Sequence, residues 1–254
     1  MLDNILQLIG SDLGQVKDFI DRELPADMGL VTRMAGFEFS QADMIIRPAL
    51  VILSSRAYGG DSGKTIALAS VFQLAYMAFR AHDSIAERNS GQRRGPGLLD
   101  EVCFPVLIGD YLYSKAYSVL IKAGITGMLL NLAEIIGMIN EGGIIKRRMG
   151  PAPRVFYEIV RKDSAEIFAG CCFLGARLAG APEDEQQILR NFGRNLGMAY
   201  GLREYGVSFE QRTVYLEEAM NYLSMLPERP ERDVLGQLVS LCSDNEVVLR
   251  RQVG

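Results

Sequence analysis

Apolar residues recur at helical spacing along nearly the whole chain, and that regularity excludes most folds. Between residues 2 and 24, Leu2, Ile5, Leu6, Ile9, Leu13, Val16, Phe19, Ile20 and Leu24 mark one face of a helix. Pro25 closes it. A second helix is expected over about 28–36 and a third over about 41–58, with Pro48 implying a kink or an early start and Gly59-Gly60 ending it. TIALASVFQLAYMAFRAHDSIAE is small and apolar on nearly every side, which predicts a helix surrounded by other helices. RNSGQRRGPGLL reads as a loop. Further helices are expected over about 100–123, 125–140, 153–180, 183–206, 211–226 and 231–250, with GGIIKRRMGPAP as a broken helix end. No period-two pattern competes. The expectation is one all-α domain over residues 1–254, a bundle of roughly ten helices.

Composition narrows the chemistry. Hydrophobic residues make up 48% of the 254, enough for a sizeable core, and the net charge of −4 gives no basis for a nucleic-acid surface. No uninterrupted apolar run reaches the ~20 residues of a membrane span. The N-terminus is acidic where a signal peptide is basic, so a soluble cytoplasmic protein is expected. Cys103, Cys171, Cys172 and Cys242 form no CxxC pair, and His82 is the only histidine. Zinc sites and Cys–His or Ser–His catalysis are thereby disfavoured, and the cysteines are expected to be buried small hydrophobes. Any chemistry falls to carboxylates, arginines and lysines.

One stretch concentrates those groups. AHDSIAERNSGQRRG, residues 81–95, carries Asp83 and Glu87 four apart, then Arg93 and Arg94. Acids at that spacing share a helix face. They are either solvated, or hold a metal or a diphosphate, or pair with Arg93, Arg94 or Arg203. Arg47 lies among apolar residues, so it is either a buried ion-pair partner or a ligand contact. Lys146, Arg147 and Arg148 read as a solvated basic run, or as one that attracts an acidic partner or membrane headgroups. Lys162 is open between surface and diphosphate, and Tyr200 and Tyr205 are expected in the core.

Five collinear segments resemble the trans-polyprenyl diphosphate synthases, all-helical enzymes that extend allylic diphosphates with isopentenyl diphosphate. They are IIRPALVILSSRAYGG, FQLAYMAFRAHDS with its following RRG, VLIGDYLYSKAYSVL, FGRNLGMAYGL and LEEAMNYLSMLPERPERDVLGQLV. The family's first DDxxD motif here reads Asp83-Ser84-Ile85-Ala86-Glu87. At the second, Glu204 alone keeps a carboxylate, with Tyr205 and Ser208 where aspartates are usual. The family's GKRLRP patch has become Asp43-Met44-Ile45-Ile46-Arg47-Pro48, so two of its basic residues are replaced by Met44 and Ile45. A lysine-threonine pair has become Lys162-Asp163, Tyr76 stands where a histidine is common, and Lys146 where a glutamine is. The resemblance also implies that a segment after the second motif is lacking.

The resemblance implies remnant diphosphate contacts at Arg47, Arg93, Arg94 and Lys162, and remnant magnesium ligands at Asp83, Glu87 and Glu204. Ionising an allylic diphosphate builds negative charge on the leaving group, which magnesium, lysines and arginines must neutralise. Each lost charge-assisted contact costs about 1.5–3 kcal/mol, and several together cost many orders of magnitude in rate. The expected role is therefore a weakly active or inactive subunit of a heteromeric polyprenyl diphosphate synthase, supporting or tuning a catalytic partner. On that reading any magnesium is weakly held or supplied with the partner's site. Two alternatives stay open: a stand-alone prenyltransferase or prenyl-diphosphate-binding enzyme with a remnant magnesium site, and a non-catalytic prenyl-binding homodimer.

Overall fold

A computed structural model describes residues 2–24, 39–89, 98–150 and 152–243 of the chain. The expected helix at 28–36, Arg93 and Arg94 lie outside these residues, as do the side chains of Glu87 and Cys103. The described residues contain helices and no strand: α1 (Leu2–Glu23), α2 (Gln41–Arg56), α3 (Ser62–Asn89), α4 (Leu98–Lys122), α5 (Leu129–Met149), α6 (Pro153–Val160), α7 (Glu166–Leu178), α8 (Glu183–Glu204), α9 (Phe209–Ser224) and α10 (Pro230–Ser243). The all-α expectation holds.

Helix α3 runs through the core. Leu68, Ala69, Val71, Phe72, Leu74 and Ala78 are all fully enclosed, as its all-round apolar sequence requires. It packs against α2 and α4, while α7 packs against α2 and α8. Helix α2 begins with a reciprocal cap. The Ser40 hydroxyl accepts from the Asp43 amide at 3.1 Å, and the Ser40 amide donates back to Asp43 Oδ2 at 3.2 Å. Pro48 lies inside this helix without ending it.

One sequence expectation is corrected here. Gly142 and Gly143 do not break a helix, because α5 continues through them to Met149. A Cβ on Gly142 would stand 2.9 Å from Lys162 Cβ, so the glycine serves close packing. The helical segment Thr126–Met149 contains an 18-residue window of mean hydropathy 1.4, long and apolar enough to cross a membrane by length and composition alone. In the bundle, its Leu132, Ile135, Ile136 and Ile139 turn inward and are buried.

Between α6 and α7 the chain widens into a π-helical turn, Arg161–Ala165. Such turns need extra room beside them and are frequent at functional sites. Glycines on α8 make that room. Gly197 and Gly201 are four residues apart on one face, and a Cβ on either would come within 2.7 Å of Ala165 or Ser164. The widened turn thus faces the C-terminal half of α8, where the second acidic motif was expected.

Candidate functional site

Arg47 is buried at the inner wall of α2, only 2% exposed. Its guanidinium carbon lies 3.2 Å from the centre of the Tyr76 ring, 5.3 Å from that of Phe168 and 5.8 Å from that of Tyr200. Three aromatic rings therefore surround one cation, an arrangement favoured by the ring quadrupoles. One turn earlier on the same helix stands Asp43. Arg47 Nη1 donates to the Asp43 carbonyl at 3.3 Å and lies 3.8 Å from its carboxylate Oδ1.

Two tyrosines from different helices end on that same oxygen. Tyr76 Oη of α3 and Tyr200 Oη of α8 each donate to Asp43 Oδ1 at 2.9 Å. The Ser40 hydroxyl donates to Oδ2 at 2.8 Å. Burial alone would push the Asp43 carboxyl up. The Arg47 guanidinium, with the Ser40, Tyr76 and Tyr200 hydroxyls, outweighs it and holds the group at about 2. Arg80, one turn beyond Tyr76, donates to the Tyr76 hydroxyl at 3.4 Å. Burial pushes the Tyr200 phenol well up, so it stays a donor.

A second polar layer lies further along α3. Asp83 is buried, and the Lys146 ammonium of α5 sits 3.1 Å from its Oδ2. The same ammonium lies 5.7 Å from the centre of the Tyr205 ring at the end of α8. Tyr205 in turn donates to Asp163 Oδ2 in the π-helical turn at 2.9 Å. Arg147 donates to the His82 carbonyl at 2.6 Å. The basic run 146–148 is therefore not merely a solvated face, since two of its members grip the end of α3. Among the described residues the cation on Asp83 is Lys146 and not Arg203, while Arg93 and Arg94 lie outside them. Arg203 is buried with its guanidinium 5.0 Å from the Tyr200 ring centre.

The remaining expected residues are placed differently. Lys162 turns to Glu141 of α5, with Nζ 2.6 Å from Oε2, and Glu141 is exposed. Glu204 is partly buried, one turn beyond Tyr200. The fold thus brings Asp83 and the C-terminal end of α8 to one place through Lys146. It directs Lys162 to a separate ion pair and Arg47 into the aromatic cage.

Magnesium is usually held by one or two carboxylates together with substrate phosphates. Asp83 already carries an ammonium, and no group of three or more His, Cys, Asp and Glu placed to hold an ion exists among the described residues. The described residues, which do not include the Glu87 side chain, assemble no magnesium cluster. What the arrangement does chemically is neutralise itself: each central carboxylate is met by a cation or by hydroxyl donors from the same chain.

Asp43 and Lys146 were not among the expected site residues. A signal for Asp43 was present, because Ser40 and Asp43 stand at the spacing of a capping pair. No local signal gives the Lys146 contact, since Asp83 is 63 residues away.

A family model described as polyprenyl synthetase matches residues 38–204. The octaprenyl diphosphate synthase of Escherichia coli (strain K12) is 24% identical over 208 residues, covering 79% of this chain and 64% of that protein. The heptaprenyl diphosphate synthase component 2 of Geobacillus stearothermophilus is 25% identical over 209 residues, covering 80% and 65%. The chain thus spans less than two thirds of the length of these two relatives. Among solved structures, polyprenyl synthase from Caulobacter crescentus CB15, complexed with calcium and isoprenyl diphosphate, superposes with a TM-score of 0.81 at 20% identity. That match covers 96% of this chain and 98% of the other.

Proposed function

The chain belongs to the polyprenyl synthetase family, and from that premise we propose that it is a weakly active or inactive subunit supporting a catalytic polyprenyl diphosphate synthase. One observation carries this reading: the buried Asp83 carboxylate is paired with Lys146 at 3.1 Å. Departure of a diphosphate needs positive charge that can approach and hold its oxygens. An ammonium already seated on Asp83 supplies charge balance without an open coordination position. Prenyl chain elongation then takes place at the partner's site, with metal bound there, and this chain supports that site or tunes it.

Helix α4 offers the surface for such a partner. Leu107 and Tyr111 lie four residues apart, and Ile121 lies fourteen beyond Leu107, all exposed on one face. The name of the Geobacillus relative, a component of a heptaprenyl diphosphate synthase, supports an assembly of unlike chains. A second copy of this chain would fit the same stripe, and co-expression separates the two.

The test is an elongation assay with an allylic diphosphate, isopentenyl diphosphate and magnesium. The purified chain alone is expected to give little or no product. Co-purification with a full-length family member, and a change in that member's rate or product length, is the expected positive result. Robust elongation by the chain alone would sink the reading.

A further inference from the structure

We propose that the elbow where α5 turns into α6 is a docking surface for an anionic lipid bilayer, with Arg148 and Arg154 meeting headgroups and Ile144, Met149 and Tyr157 entering the interface.

The local charge runs against that of the chain. The whole chain carries −4, yet residues 142–157 hold Lys146, Arg147, Arg148 and Arg154 and no acid. Lys146 is committed to Asp83, and Arg147 to the His82 carbonyl. Arg148 and Arg154 are exposed, and among the described residues neither side chain has a hydrogen bond or an ion pair. Of the two acids that border the segment, Glu141 is held by Lys162, while Glu158 is exposed one turn after Arg154. The outward balance of the elbow is therefore positive.

Apolar side chains stand among these cations. On α5, Ile144 and Arg148 are four residues apart and share an outward face, both exposed. On α6, Arg154 and Tyr157 are three apart and share another, again both exposed. Met149 ends α5 as an exposed residue, and Gly150, with φ +63°, turns the chain between the helices. Phe156 braces α6 from the inner side. Its ring meets that of Tyr205 edge-on at 5.4 Å, and Tyr205 lies against the Lys146 ammonium. The exposed side chains are thus presented from a pair of helices fixed to the bundle.

An anionic bilayer matches both halves of this surface. An arginine close to such a membrane strengthens binding by about fivefold, and tyrosine settles at headgroup level. An acidic protein would pair the arginines but gives no reason for three exposed apolar side chains to stand among them. The helix docks and does not cross, because Leu132, Ile135, Ile136 and Ile139 are buried in the bundle. Neither a prenyl substrate nor a partner chain enters this inference, so it stands or falls apart from the proposed subunit role.

The experiment is co-sedimentation of the full chain with phosphatidylcholine vesicles, with and without phosphatidylglycerol, at low and high sodium chloride. Binding is expected only with phosphatidylglycerol, and it should weaken as salt rises. The double variant Arg148→Glu with Arg154→Glu should bind at least about tenfold more weakly. Ile144→Ser with Tyr157→Ser should weaken binding at least about threefold and keep its salt dependence. Equal sedimentation with both vesicle types, or with neither, would overturn the proposal. So would full binding by either double variant; loss in the arginine variant alone would mark a surface for an acidic protein instead. The chain has no tryptophan, so Tyr157→Trp supplies a second readout that leaves every charge in place. Its emission should shift to the blue on phosphatidylglycerol vesicles and be quenched by brominated lipid. Emission that neither shifts nor quenches would place this side chain outside the bilayer and refute the docking.

Discussion

Lys146 of α5 places its ammonium 3.1 Å from Asp83 of α3, and the two differ sharply in depth: the lysine side chain keeps 25% of its exposure and the aspartate 4%. The acid is therefore the partner that loses most when the pair is broken. Lys146→Met should lower unfolding stability by about 1–3 kcal/mol, because a buried carboxylate is left without its cation. Adding Asp83→Asn should restore a large part of that loss, as coupled neighbours do. Denaturant midpoints of the two single variants and the double variant check this. Strict additivity would mean that the pair contributes nothing.

Asp43 should make stability depend on acid. Its carboxyl titrates near 3.8 when unperturbed and at about 2 in the folded chain. A lowered folded value means the contribution is complete above the unfolded value and is lost as pH falls through the folded one. The linkage is worth about 2 kcal/mol. Asp43→Asn cannot titrate, so the stability gap to the unmodified chain should be flat above about pH 5 and narrow between about pH 4 and pH 2. Chemical denaturation at stepped pH measures it. A gap that stays constant down to pH 2 would show that Asp43 is not held as an anion.

Asp83→Ala should hardly touch catalysis by an assembled pair. With the partner carrying the chemistry, turnover of the co-purified assembly should stay within about twofold of normal, a change below ~0.5 kcal/mol in barrier. Steady-state elongation rates with magnesium decide it. A loss of about a hundredfold, or ~2.7 kcal/mol, would instead make Asp83 a working group.

Charge on the outer face of α4 should separate chains without unfolding them. Leu107 is 65% exposed and Ile121 56%, so replacing both by Asp removes little from the bundle core. Monomer stability should change by no more than about 0.5 kcal/mol per site. Burying each of these side chains against a partner is worth ~1–2 kcal/mol, so the double change should weaken association at least about tenfold. Sedimentation velocity over a concentration series reports it. Unchanged association would move the contact surface elsewhere.

The sequence by itself determined the helices. Periodicity along one segment is a property of that segment, so α1, α3 and α8 were legible from their own residues. The capping spacing of Ser40 and Asp43 was equally local. Gly142-Gly143 misled, because glycine propensity argues for a break while the crowded contact with Lys162 argues for a helix, and the contact prevails. Only the tertiary structure decided which charges cancel. Tyr200 reaches Asp43 across 157 residues and Lys146 reaches Asp83 across 63. Such meetings depend on how helices cross and how deep each side chain lies. Helical spacing fixes which residues share a face, but it carries no information about what the face opposite will bring.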